Sequence, residues 1–233
     1  SKSIEKNLIE YVPGINEDDY DAINDTKDIK RFISPKTNLC TAVKNWNGAA
    51  SLSRGDLIVV IPDDMVPPYG WDIKLKELCK GINPKKHSFA IKIKDSESIK
   101  DTKMRHPIIS RKFYEDFGLF DKRFRGVFCD DDITKRAFWE SLILDGREID
   151  FKHTQSNLFS KKNTVSKSKS LINKQSEYDY GFKIIQEKYK YRKIIAPILL
   201  FGKKPKILSF FFYSKLSFFA RLISIFLVLI NLK

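Results

Sequence analysis

The chain has 233 residues, of which 42% are hydrophobic and 31% charged, and a formal net charge of +14. That length supports one substantial domain with an appendage and excludes two domains with independent cores, while the apolar share excludes a disordered chain. The positive charge calls for an anionic partner, and three widely spaced cysteines without a C-x-x-C pair (Cys40, Cys79 and Cys129) suggest neither a disulfide framework nor a zinc site and fit a reducing, cytosolic setting.

In chain order, residues 8–15 carry β-type side chains up to Pro13-Gly14 and then enter the acidic turn Asn16-Glu17-Asp18-Asp19, which predicts a strand ending in a loop. A second short strand is expected over residues 29–33. Asn38 then caps a helix whose stripe is Leu39, Val43, Trp46 and Ala50 and which stops at Gly55. The run Leu57-Ile58-Val59-Val60-Ile61 is continuously apolar, the pattern of a parallel strand buried on both faces. It ends at Pro62-Asp63-Asp64, and residues 71–78 form the following helix. Residues 88–93 read as a strand, 111–117 and 131–140 as helices around the loop 118–126, and 147–151 as the last strand. Strands alternating with helices predict an α/β sandwich.

Residues 159–174 are rich in Ser, Lys and Asn without periodicity, which predicts a linker, and a helix is expected over 178–191. Lysines and arginines gather from Lys161 to Lys206, directly before an apolar tail, an order that suits approach to an anionic membrane surface. From Ser209 to Ser224 the residues Ser214, Ser217, Arg221 and Ser224 share one helical face against an aromatic and aliphatic remainder, which predicts an amphipathic helix lying in the bilayer interface. The stretch 216–232 reaches only the lower edge of the roughly 17–25 residues needed to span a bilayer. Packing of this helix on the domain's own core is the alternative. The expected division is therefore a catalytic-sized domain over 1–158, a linker and helix over 159–194, and a basic-apolar, membrane-associating tail over 195–233. The chain begins with Ser1 and shows no apolar signal-peptide core near its start, so a fragment of a longer protein is expected.

Two acids directly after a buried strand are costly unless something pairs with them, and ligands of open α/β sheets bind beyond the carboxyl ends of strands. A Mg²⁺ or Mn²⁺ ion bridging Asp63 or Asp64 to a diphosphate is the functional reading; a polar turn is the structural one. Asp130-Asp131-Asp132 opens a helix, where one acid serves as a cap, but three adjacent acids repel and favour a cation or proton-transfer role. Among the histidines, His87 reads as a solvated loop residue and His106 as structural, with the acceptor wall as its alternative. His153, after the last strand, is the histidine positioned to complete a metal site or touch a phosphate.

These segments carry a resemblance. Asn47-Gly48-Ala49-Ala50, Gly55-Asp56, the apolar strand, Pro62-Asp63-Asp64, Pro67-Pro68 and Trp71-Asp72 resemble the metal-binding region of family-2 glycosyltransferases of the GT-A fold. His106 to Arg111, Gly118-Leu119-Phe120-Asp121 and Cys129 to Ala137 are similar to that family's acceptor-side segment and its Glu-Asp-x-Asp-Leu-x-x-Arg pattern, and order and spacing agree over residues 8–160. The resemblance implies a Rossmann-like mixed sheet flanked by helices. It implies that Asp64 with Asp63 holds Mn²⁺ or Mg²⁺ on a nucleotide-sugar diphosphate, with His153 near the metal. It makes Asp130 the catalytic base, Asp132 the second acidic position, and Asp18 or Asp19 the acid that helps bind the nucleotide. Pro62 stands where the family's first Asp would be, Cys129 replaces Glu, and the family's first strand has no counterpart before Leu8.

The function expected is an inverting, metal-dependent transfer of a sugar to a glycan or lipid-linked acceptor at the cytoplasmic membrane face. Two alternatives are a sugar-phosphate nucleotidyltransferase, which needs a Gly-rich basic loop on its first strand, and a non-catalytic basic membrane-binding module. Nucleic acid is not the expected partner, because the basic residues crowd the tail instead of interleaving with aromatics on a sheet face.

Overall fold

The computed structural model describes residues 2–95, 103–153 and 174–189 in full, and 192–200 and 206–214 as backbone strands. Its centre is a four-stranded mixed sheet of order β3-β6-β5-β7, formed by β3 (Leu57–Val59), β5 (Phe89–Lys94), β6 (Ile108–Ser110) and β7 (Leu142–Asp150). Strand β6 runs antiparallel to both β3 and β5, while β5 and β7 are parallel. A separate parallel pair joins β1 (Gly14–Asn16) to β2 (Phe32–Ser34), and a third pairing, antiparallel, joins β4 (Met65–Val66) to β8 (Lys152–His153). The helices are α1 (Tyr20–Asp25), α2 (Ala42–Leu52), α3 (Trp71–Leu78), α4 (Arg111–Phe117), α5 (Cys129–Glu140) and α6 (Gln175–Lys188). The chain is thus an α/β protein with a mixed sheet flanked by helices.

Both faces of the sheet are covered, because successive residues of a strand point to opposite sides. Phe89, Ile91 and Ile93 of β5 pack with Trp71 and Leu75 of α3 and with Phe151, whereas Ala90 and Ile109 pack with Phe113 of α4, Ile133 and Ala137 of α5 and Ile184 of α6. Burying each such Ile or Phe contributes about 1.5–3 kcal/mol, so the two layers carry most of the fold's stability.

Helices α3 and α4 occupy the bounds that their spacing predicts, since Gly118 stops α4 and the Ser110 side chain caps it by accepting from the Phe113 N–H at 3.1 Å. Several expectations need correction. Asn38 does not cap the second helix, which starts at Ala42 after Thr41, and the last long strand starts at Leu142 instead of 147. The 57–61 run is not a parallel strand buried on both faces: β3 pairs antiparallel with β6, and Ile61 is 38% exposed. An apolar run reports burial along the chain and carries no information on strand direction. The strand expected over 8–15 begins only at Gly14, after a 3₁₀ turn at Lys6–Leu8; a Cβ at Gly14 would lie 2.5 Å from the Asn45 carbonyl oxygen, so this glycine admits the close approach of α2 instead of ending the strand. Finally, residues from Ser209 to Ser214 are not helical. They belong to β10 (Lys206–Ser214), which pairs antiparallel with β9 (Arg192–Leu200), and the aromatic run at 210–213 has the β preference that the helical pattern concealed. Residues 215–233, which hold the rest of the expected tail helix, and most of the expected linker lie outside the described residues.

Candidate active site

After β3 the chain turns through Pro62-Asp63-Asp64, closed by the Met65 N–H donating to the Pro62 carbonyl at 3.1 Å. Strand β4 then pairs with β8 so that Met65 faces His153, and this register sets the imidazole beside the turn. His153 Nδ1 lies 3.7 Å from Asp64 Oδ2, with side-chain exposures of 54% and 23%. Asp63 is exposed at the same turn. A carboxylate of the type that hard divalent cations take therefore sits with an imidazole at the carboxyl end of β3, and the exposed Asp63 shares the turn.

Behind His153 stands His106, just before β6. Their ring centroids are 5.9 Å apart and meet edge to face. The His106 side chain is 11% exposed, and its Nδ1 lies 3.7 Å from Asp95 Oδ2, which also accepts the His106 backbone N–H at 3.0 Å. Asp95 follows β5 and is buried, and its other oxygen accepts from the buried Lys92 Nζ at 2.6 Å. Burial pushes the His106 imidazole down to about 4; the His153 ring adds to this, and the carboxylates of Asp95, Asp64 and Asp130 oppose it. Both acids singled out by sequence as diphosphate holder and base thus exert their charge on one histidine.

Asp130 exerts its charge on His106 from the first turn of α5. That turn is set by Phe128, whose backbone is left-handed at φ 66° and whose ring packs against Tyr178 and Phe182 of α6 with centroids 6.4 and 5.9 Å apart. A non-glycine residue in this conformation costs of order 1 kcal/mol or more and persists because its surroundings hold it. Gly181 of α6 supports the same turn, for a Cβ there would meet the Val127 carbonyl oxygen at 2.7 Å. Next to Asp130, Asp131 pairs with Lys103 at 2.8 Å; burial and the Asp130 charge push its carboxyl up to about 6, against the pull of Lys103 and Arg105.

Asp132 is different. Its side chain is fully buried, with Oδ2 accepting from Arg136 Nε at 2.9 Å and Oδ1 taken by Lys188 Nζ at 2.6 Å and by the Tyr189 hydroxyl. The Lys135 ammonium lies 3.2 Å from the centre of the Tyr189 ring, and Asp121 also pairs with Lys188. Asp132 therefore ties α5 to the end of α6 and does not stand beside Asp130. Nor do Asp18 and Asp19, which belong to the end of β1: Asp19 caps α1 by accepting from the Ala22 N–H at 3.1 Å, and Asp18 is half-buried in the same turn. There Asn16 Oδ1 accepts from Ser34, Thr41 and Asn45 at 2.9, 2.7 and 3.0 Å, stitching β1 to β2 and α2.

The residues that sequence reasoning passed over are His106 in its site role and the Lys92–Asp95 pair. A signal existed for the pair, since Lys92 interrupts the apolar run of β5 and Asp95 follows three residues later. Among the described residues no three His, Cys, Asp or Glu side chains converge closely enough to enclose a metal ion. Mg²⁺-type sites are seldom all-protein cages; one or two carboxylates and substrate phosphates usually suffice. The three cysteines are buried, and burial pushes the Cys129 and Cys79 thiols up, which removes them as thiolate ligands or nucleophiles. Comparison with known proteins finds no matching family model, no matching curated protein and no matching solved structure.

Proposed function

We propose that this chain is an inverting, metal-dependent glycosyltransferase that moves a sugar from a nucleotide-sugar donor to a hydroxyl of a glycan or lipid-linked acceptor. One observation carries the reading: Asp64 meets His153 at 3.7 Å at the carboxyl end of β3, and the His106 ring stands 5.9 Å behind that of His153, within electrostatic reach of Asp130. A diphosphate holder and a proton acceptor must flank one reacting centre, and the electrostatic reach of both Asp64 and Asp130 to His106 supports that assignment.

The donor set fits the group that the reading needs. The Asp64 carboxylate and His153 imidazole, with Asp63 at the same turn, offer ligands that Mn²⁺ accepts readily and Mg²⁺ in part, leaving other positions for diphosphate oxygens and water. Bound there, the cation would offset the negative charge building on the departing nucleoside diphosphate. Asp130 takes the proton of the acceptor hydroxyl as its oxygen bonds to the anomeric carbon and the bond to the diphosphate oxygen breaks, on opposite faces, which inverts the centre. Asp18 remains the candidate for contact with the nucleotide. Asp132 acts through the position of α5 and not on substrate, a change from the role that the family pattern implies.

The basic, apolar sequence after Lys188 supports peripheral attachment to the cytoplasmic face of a membrane. Among the described residues no helix is long and apolar enough to cross one.

The test is transfer from a panel of nucleotide sugars with Mn²⁺ present, for the wild type and for Asp64→Asn and Asp130→Asn. Loss of turnover in both variants, with melting temperatures unchanged, supports the reading. Wild-type turnover retained in both rejects it.

A further inference from the structure

Resting on the metal–diphosphate reading of Asp64 and His153, we infer that His106 is a positioning residue: its ring backs the His153 imidazole and fixes the direction in which His153 meets Asp64, while the buried Lys92–Asp95 pair anchors it from behind.

The need for such support follows from His153 itself. It lies on the two-residue strand β8 and is half-exposed, so the backbone alone leaves its ring free to turn about two side-chain bonds. Metal-ligating histidines are commonly oriented by an outer partner, usually a hydrogen-bond acceptor on the other ring nitrogen; at His153 the neighbour is the His106 ring, which supports it by edge-to-face packing.

His106 is itself held on three sides. Pro107 follows it and restricts its backbone to extended conformations. Its N–H is bound by Asp95, and its ring is largely enclosed. Asp95 is fixed in turn by Lys92, whose Nζ also donates to the Lys103 carbonyl. Two opposite charges buried together in the sheet seldom add net stability over apolar residues of the same size. What the pair does provide is a fixed carboxylate at the end of β5, with one oxygen aimed at the His106 backbone. The line Lys92, Asp95, His106, His153, Asp64 thus runs from the interior of the sheet to the turn where the diphosphate would sit.

The inference is tested by Mn²⁺ affinity in the presence of nucleoside diphosphates, counting free Mn²⁺ by electron paramagnetic resonance, for the wild type, His106→Leu and His106→Phe. Both substitutions fill the volume, and Phe alone keeps a flat ring against His153. His106→Leu is expected to weaken Mn²⁺ binding by about tenfold or more, as loss of an outer partner does elsewhere, and His106→Phe by no more than about threefold. Melting curves establish that each variant folds. Wild-type protein that binds no Mn²⁺ with any nucleoside diphosphate overturns the metal reading and this inference with it. Wild-type binding together with equal affinity in His106→Leu overturns this inference alone, as does an equal loss in His106→Phe.

Discussion

Asp130 and Asp132 stand two residues apart on α5, and the molecule treats them as opposites. At 3.6 residues per turn they point about 200° apart, so a helix cannot offer both to one ligand. Asp132 is directed into the protein, where Arg136, Lys188 and Tyr189 satisfy it and no solvent reaches it. The Asp130 charge reaches His106 and Lys103, and it hinders the ionisation of its neighbour Asp131. A carboxylate saturated by buried cations is a structural part, whereas one whose oxygens are not taken up in such a cluster keeps its capacity to bind or take a proton. The contrast teaches that acidity in a motif has to be resolved residue by residue from the partners each oxygen has.

The sharpest way to break this contrast is to remove each acid separately. Asp130→Asn should lower transfer by about 10²–10⁴-fold, the usual worth of a positioned base, with urea unfolding unchanged to within about 0.5 kcal/mol. Asp132→Ala should do the reverse, destabilising by about 3 kcal/mol because Arg136 loses its carboxylate and Lys188 one of its two, the other being Asp121. Thermal or urea unfolding checks it, and a variant as stable as wild type would remove the structural assignment.

The titration of the neighbouring groups sharpens the comparison further. Asp131 is raised from 3.8 to about 6, so the stability it contributes is present below pH 4 and is lost as pH rises through 6. His106 is lowered from 6.5 to about 4, so its contribution is present above pH 6.5 and is lost as pH falls through 4. The two oppose each other across the same window. Asp131→Asn should therefore lose stability on acidification from pH 6.5 to 4, and His106→Leu should gain it, each by up to about 3 kcal/mol relative to wild type. Urea midpoints at a series of pH values give the answer, and parallel profiles for both variants would contradict it. The smallest effect belongs to an acid of the first kind on a minor scale: Asp19→Ala should cost about 1 kcal/mol through loss of the α1 cap, measurable as a reduced urea midpoint.

Much of the fold was legible because apolar spacing and stop signals are local. Helices α3 and α4 fall where the sequence puts them, and the α/β class follows from alternation alone. What needs pairing between separated segments was not legible: the antiparallel direction of β3 depends on β6, some fifty residues on, and the late start of β1 on β2 and α2; the β9–β10 pairing is local and was missed because its apolar run also fits helical spacing. The same division runs through the site. Asp64 and His153 could be singled out because acids and histidines after strands are conspicuous, and the β4–β8 register then joins them. His106 looked structural because nothing local reveals that Asp95 and His153 approach it, and Asp132 looked catalytic because its partners Lys188 and Tyr189 lie beyond residues 154–173.

The left-handed turn at Phe128 carries a consequence for the reach of the second acidic segment. Helix α6 presses on that turn through Phe182, Tyr178 and the bare backbone at Gly181, so the start of α5 is aligned by a helix encoded well downstream of the motif itself. Truncation ahead of residue 174, or Gly181→Ala, would let the turn relax toward ordinary helical geometry and swing Asp130 away from His106. Any trimming of this chain for expression therefore has to keep α6, even though α6 supplies none of the candidate site residues.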